Sequence, residues 1–308
     1  MRIGIGIGDA FGSSDGLPGL LKQFERAEEQ GFASAWVANI FSLDAVMLLA
    51  LAGQVTERIE LGTFVVPTYP RHPTALAQQA LTASVATNGR FTLGIGLSHK
   101  VVIENMLGLD YSKPVRHMRE YLSVLNPLLA GEATRFQGEE YRVAAQISVP
   151  SAKKPPVLVA ALGPQMLKLA GRMADGTATR MGGPSYLEKT AIPAIRAAAK
   201  EAGRPEPRIA SGFPIAVTSK VDEAKASAQK IFAVYGQLPS YRAVLDVEGA
   251  ADASGIAIVG GENEVADQVR HLAKIGVTDF NASMFAVDGD SGAIGRTAEL
   301  LASLAREK

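Results

Sequence analysis

The 308-residue sequence contains no cysteine, which excludes disulfides, thiolate metal sites, iron–sulfur clusters and a cysteine nucleophile. It also has no net charge: 31 Lys+Arg balance 31 Asp+Glu, so no field draws the chain to nucleic acid or an anionic membrane. No long hydrophobic run exists; the longest, Ala45 to Ala52, is far too short to cross a bilayer. The opening Met1-Arg2-Ile3-Gly4-Ile5-Gly6-Ile7-Gly8 leads into no signal-like apolar stretch, and with the missing cysteine this points to a soluble, cytoplasmic protein. The four histidines, His72, His99, His117 and His271, are scattered without metal-ligand spacing, so no metal is expected. No G-x-x-x-x-G-K-[ST] loop occurs. Gly94-Ile95-Gly96 meets His99 where a dinucleotide fingerprint needs its third glycine.

What is present is a core and a rhythm. The chain is 47% hydrophobic, and strand, turn and helix follow one another along it. Residues 2–8, 34–39, 59–66 and 91–96 read as strands. An amphipathic helix over 17–30 ends at Gly31, helix 44–56 begins at Asp44 as N-cap, and helix 73–88 begins with Pro73 after His72. An excursion follows the fourth strand, with a helix over 114–129 and a short hairpin near Gly138. Strands over 157–162, 177–180, 209–218 and 279–283 then alternate with helices. Residues 238–248 break the rhythm, and 256–259 reads as a ninth strand-like piece that leads into its helix. No Pro- or Ser-rich linker divides the chain, so residues 1–308 read as one domain: an α/β, single (β/α)8 TIM barrel with an insertion after strand 4. An open doubly wound sheet is the alternative architecture.

In such a barrel the chemistry lies at strand C-terminal ends. His99 follows a buried strand by three residues. It is either a general acid/base at the mouth or a surface and capping histidine. His72 has a helix-start position that suits a structural role; His117 and His271 fall within helices, as packing or surface residues. Leu162-Gly163-Pro164 and Gly182-Gly183-Pro184 are glycine turns on successive strands. They either share a phosphate between them, with Arg180 adding charge, or are ordinary strand-to-helix turns. Phe41, Leu43, Phe64, Met106 and Met181 suggest an apolar mouth.

Trp36-Val37-Ala38-Asn39, Leu61-Gly62-Thr63, Tyr69-Pro70-Arg71-His72-Pro73, Gly89-Arg90-Phe91-Thr92-Leu93-Gly94-Ile95-Gly96, Ala160-Ala161-Leu162-Gly163-Pro164 and Ala170-Gly171-Arg172-Met173-Ala174-Asp175-Gly176, in this order and spacing, resemble the luciferase-like monooxygenase superfamily. More narrowly they resemble its branch that uses the deazaflavin coenzyme F420; relatives use FMN on the same barrel. The resemblance runs from Met1 to about Leu300. It implies a flavin-shaped ring across the barrel mouth and a cis peptide at Phe64–Val65 against it. It further implies Asn39 and Ser98 beside the ring, and a phosphate and tail region at Leu162, Gly163, Thr179, Arg180, Gly182 and Gly183. His99 falls where some relatives place a proton donor. Ile40 and Asp44 stand where the sugar-phosphate dehydrogenase relatives have His and Trp, and Gly183 where they have a phosphate-binding Lys. These departures argue against that substrate.

The resulting expectation is an F420-dependent oxidoreductase moving hydride between the coenzyme and an organic substrate, with His99 supplying a proton. The alternatives are a reduced-FMN monooxygenase and a non-catalytic flavin or deazaflavin carrier. The resemblance also implies a homodimer packed through helices 44–56 and 73–88, using Leu48, Leu49, Ala52, Leu76, Ala80 and Ala83.

Overall fold

A computed structural model of the chain describes residues 1–8 and 16–307; the end of the first strand at residue 9 lies outside the described residues. Eight parallel strands, β1 (Arg2–Gly6), β2 (Ser34–Val37), β3 (Glu60–Thr63), β4 (Phe91–Gly96), β5 (Val157–Val159), β6 (Gly176–Arg180), β7 (Arg208–Val217) and β8 (Asp279–Met284), pair in sequence order, and β8 pairs with β1 to close the ring. Helices cover the outside, so this is a (β/α)8 TIM barrel, not an open sheet. The expected hairpin is Thr134–Gln137 with Arg142–Ala145.

The ninth strand-like piece has an unexpected place. Ile258–Gly260 is a strand, but it pairs only with the last residues of β7, beyond the ring. Ten-residue β7 closes the barrel with its first half and carries this extra strand with its second.

Three helices matter for the mouth. α1 (Gly16–Glu29) stops before Gly31, whose φ of +88° suits a residue without a Cβ. α2 (Ala45–Ala52) starts at Asp44, whose carboxylate accepts from Met47 N at 3.0 Å. α3 (Pro73–Ala86) starts at His72, whose ring nitrogen accepts from Thr74 N at 3.3 Å, the structural role expected of it; α4 (Pro114–Leu129) follows in the insertion after β4.

The barrel interior is filled by the only tryptophan. Trp36 is fully buried, donates to Ser34 Oγ at 2.9 Å, and meets Phe64 edge-to-face with centroids 5.5 Å apart. Its indole fits because Gly62 faces it; a Cβ at Gly62 would lie 2.3 Å from a carbon of the Trp36 ring. Below, ions close the floor. Arg208 donates to Asp279 at 2.9 Å and to Glu60 at 2.8 Å, and Arg2 joins both acids. Burial opposes the Asp279 charge, but the Arg208 guanidinium, helped by Arg2, holds its carboxyl below the usual range. This network and Trp36 occupy the floor and the middle of the ring, which leaves the C-terminal end, where ligand sites of such barrels lie.

Candidate active site at the barrel mouth

The mouth is built where β3 and β4 end. Thr63 donates to Gly94 O at 2.7 Å and accepts from Gly94 N at 2.8 Å, locking the two strands together. The peptide Phe64–Val65 is cis, as the resemblance implied. Val65 leans into the place of a missing side chain: a Cβ at Gly96 would lie 2.6 Å from Val65 Cγ2 and 3.1 Å from Ala160 Cβ. Asn39 holds this corner from β2. Its backbone N–H donates to Val65 O at 3.4 Å, and its side-chain oxygen accepts from Ala45 N at 3.0 Å and from Arg71 at 3.3 Å. Arg71 is also ion-paired with Asp44. Asp44 therefore caps α2 and anchors Arg71, while Ile40 is exposed.

After β4, Ser98 takes a left-handed φ of +59° and leads into His99. His99 is half-buried at the rim, and burial pulls its pKa below the ordinary histidine range. Its ring lies 6.0 Å from that of Tyr241, which in turn lies 4.9 Å from Tyr235. Tyr235 and Phe232 flank the Arg180 guanidinium at 5.5 and 5.9 Å. A continuous arc of rings from residues 232–241 thus runs across the mouth from His99 to Arg180. Burial raises the Tyr241 phenol pKa, with Arg180 acting the other way. Sequence reasoning missed these three aromatics; the one signal was Tyr241, which lies where the strand–helix rhythm breaks.

The residues expected around a phosphate divide into two groups. Gly163 caps α5 (Pro164–Met173) with no side-chain hydrogen bond, is exposed, and has open space where a Cβ would project. Leu162 O accepts from Tyr186 OH, which ties this turn to the next. The Gly182-Gly183 turn is taken by a side chain. The Glu248 carboxylate packs against Gly183, whose φ is +58°, and accepts from Tyr186 N. The two glycine turns therefore do not form one open cradle. Thr179 lies under the Gly182 turn and donates to Ser211 Oγ at 3.0 Å. Arg180 points elsewhere: Ala178 on the same strand packs against Trp36 inside the barrel, and Arg180, two residues on, shares that inner face. Its Nη1 donates to Ser283 Oγ at 3.3 Å on β8.

The apolar set also divides. Phe64 and Met181 are buried, whereas Phe41, Leu43 and Met106 are exposed. His117 is buried, with Nε2 2.9 Å from Thr68 Oγ1 and its ring stacked on Tyr69 at 3.8 Å, a packing role. Among the described residues no group of acids and histidines is arranged to hold a metal.

The mouth suits a flat, oxygen-bearing ring. Gly6, Gly96 and Gly212 withdraw side chains from it, and Asn281 Oδ1 and Arg180 Nε are buried there without a hydrogen-bond partner. The open N-terminus of α5 suits an anionic tail.

The chain is similar to several known proteins. The chain is 31% identical over 225 residues to F420-dependent glucose-6-phosphate dehydrogenase of Kineococcus radiotolerans, covering 68% of this chain and 66% of that protein. It is 29% identical over 283 residues to 5,10-methylenetetrahydromethanopterin reductase of Methanopyrus kandleri, covering 86% and 77%. The solved structure of the coenzyme F420-dependent tetrahydromethanopterin reductase from that organism superposes with a TM-score of 0.80 at 24% identity, over 98% and 97% of the two chains. The FMN complex of a Pseudomonas putida diketocamphane monooxygenase component superposes with a TM-score of 0.76 at 17% identity, over 100% and 97%. The family described as luciferase-like monooxygenase matches residues 1–279, and the chain belongs to that family.

Proposed function

We propose that this chain is an F420-dependent oxidoreductase that moves hydride between the deazaflavin and an organic substrate. The observation that carries the reading is its similarity to F420-dependent enzymes over two thirds or more of its length. A second reading, reduced-FMN oxygenation, draws on the FMN-bound barrel of the same fold. Glucose 6-phosphate is not the proposed substrate: Ile40 faces solvent, Asp44 is committed to α2 and Arg71, and Gly183 faces Glu248 in place of a lysine.

F420, when bound, supplies a ring carbon that gives or takes hydride in two-electron steps. The protein's part is positioning and one proton. Phe64 and Val65 form the wall against which a ring lies, and Asn39 fixes that wall through its bond to Val65 O. The open N-terminus of α5 at Gly163 receives the phosphate. Because burial disfavours the imidazolium, His99 is uncharged near neutral pH. It then takes the proton of a substrate hydroxyl, and returns it in the reverse direction. The donor role expected from the sequence thus becomes a base role when substrate is oxidised. The arc of Phe232, Tyr235 and Tyr241 keeps water from the site.

The chain also forms a homodimer in this reading, by a different surface from the one expected. Leu48, Leu49, Ala52, Leu76, Ala80 and Ala83 are all buried against the barrel. The free stripe on α2 is Met47 and Leu51, continued by Val55, spaced i, i+4, i+8.

Titration of the purified protein with F420 and with FMN, followed by cofactor fluorescence, tests the assignment. F420 should bind at least about tenfold tighter, or about 1.4 kcal/mol. Equal or tighter FMN binding refutes it, and tight binding without turnover of any enone, ketone, alcohol or nitro substrate favours a carrier.

A further inference from the structure

Arg180 is a half-buried cation with no acidic partner among the described residues. Among the described residues its only polar contact is the neutral Ser283 hydroxyl, its Nε is buried without a partner, and two aromatic rings flank it. Arg71, Arg208 and Arg2, by contrast, are paired with acids: Arg71 with Asp44, Arg208 and Arg2 with Asp279 and Glu60; Arg90, which also lacks an acid, donates to the Thr56 hydroxyl and three backbone carbonyls. Taking a guanidinium out of water without a counter-charge is costly unless a ligand provides one.

The surroundings are shaped for such a ligand. Asn281 is 2% exposed, and its Oδ1 has no hydrogen-bond partner. A Cβ at Gly6 would sit 3.5 Å from that oxygen and 4.0 Å from Ser283 Oγ, and one at Gly212 would sit 3.6 Å from Asn281 Nδ2 and 3.2 Å from Phe64. Gly212 is the register partner of both Arg180 and Asn281. Two glycines therefore clear the wall between a cation without an acid, an amide whose oxygen is unpartnered and the Phe64 ring.

We propose that Arg180, steadied by Ser283 and beside Asn281, is the anion-holding residue of the mouth, and that it faces a planar oxygen-bearing group carrying negative charge. This rests on the oxidoreductase reading above. Two sources share that chemistry: the reduced cofactor ring, or a carboxylate or enolate of the substrate. In either case Arg180 works inside the barrel and not at the cofactor's phosphate.

Two measurements on wild type, Arg180→Gln and Arg180→Lys separate the sources. The first is the midpoint potential of bound F420, or of FMN if that binds instead. If the charge is the ring's, Arg180→Gln weakens binding of the reduced form about tenfold relative to the oxidised form. This lowers a two-electron potential by about 30 mV, and Arg180→Lys retains most of it. The second is binding of benzoate against benzamide to the cofactor-free protein, read by the fluorescence of Trp36. If the charge is the substrate's, benzoate binds at least tenfold tighter than benzamide to wild type, and the preference disappears in Arg180→Gln. Should Arg180→Gln melt far below wild type, Ser283→Ala replaces it in both assays, with a threefold effect expected. A folded Arg180→Gln with unchanged potential and unchanged benzoate preference overturns the proposal. Failure of wild type to bind either cofactor would instead refute the oxidoreductase reading, and the benzoate assay would still decide on Arg180.

Discussion

His117 should make the protein acid-sensitive in a defined window. Its imidazole is buried among Thr68, Tyr69 and Tyr141, and burial pushes its pKa down to about 4 despite the nearby Glu140 and Glu120. In the unfolded chain a histidine titrates near pH ~6.5. The folded pKa is therefore depressed, so as pH falls the unfolded state binds the proton first. The neutral His117 contributes fully above pH ~6.5, and its contribution is lost progressively toward pH ~4. At pH 5 the unfolded state has gained a proton that the folded state has not, which at ~1.4 kcal/mol per pH unit comes to about 2 kcal/mol. Urea unfolding of wild type and His117→Gln between pH 5 and 7.5 checks this. The difference between their unfolding free energies should narrow by about 2 kcal/mol at the acid end, because the carboxylates common to both cancel. Parallel stability curves would show that His117 is not held neutral, and would sink the reasoning.

Three other outcomes are expected. Gly62→Ala drives a methyl into Trp36 and should cost about 1–3 kcal/mol by thermal melting, with a changed Trp36 emission; an unperturbed protein would mean the barrel interior is loosely filled. His99→Ala should lower kcat by about 10²–10⁴-fold with F420 affinity kept within about threefold. In wild type, kcat/KM for substrate oxidation should rise with pH and level off below the usual histidine pKa; a folded, cofactor-loaded variant with normal single-turnover rate removes His99 from the chemistry. Met47→Glu on the exposed stripe of α2 should shift light scattering from dimer to monomer, and monomeric wild type at micromolar concentration would reject the dimer.

Much of the barrel was legible because its signals are local. Asp44, His72 with Pro73, and Gly31 mark helix ends by chemistry that acts within a few residues. The strand count needed one choice, to leave 256–259 out of the ring; that segment is a strand, yet the ring does close with eight. What the sequence hid depends on which face of a doubly buried strand points inward. β6 alternates Gly176, Ala178 and Arg180 with Thr177 and Thr179, so neither side is clearly apolar and nothing local says that Ala178 and Arg180 share the inner face while Thr177 and Thr179 look outward. Helix α2 is apolar all round, so its buried and exposed stripes were likewise indistinguishable, and the dimer face was placed on residues that cover the barrel. The Glu248–Gly183 contact joins residues 65 positions apart, and no spacing rule reaches that far.

The overlong β7 has a consequence for how this protein can change. Its upper half, with Ile258–Gly260, supports a hydrophobic cluster of its own: Met181, Ala216, Ala224, Phe232, Leu245 and Val259 pack apart from the residues that fill the main barrel. The roof over the mouth thus has a small core of its own, to which residues following β6 and β8, Met181 and Phe285, also contribute. Such a roof can loosen for ligand entry while the ring stays folded. Over evolution it can be rebuilt residue by residue, altering which molecules enter, without disturbing the Trp36-filled interior or the ionic floor that stabilise the scaffold.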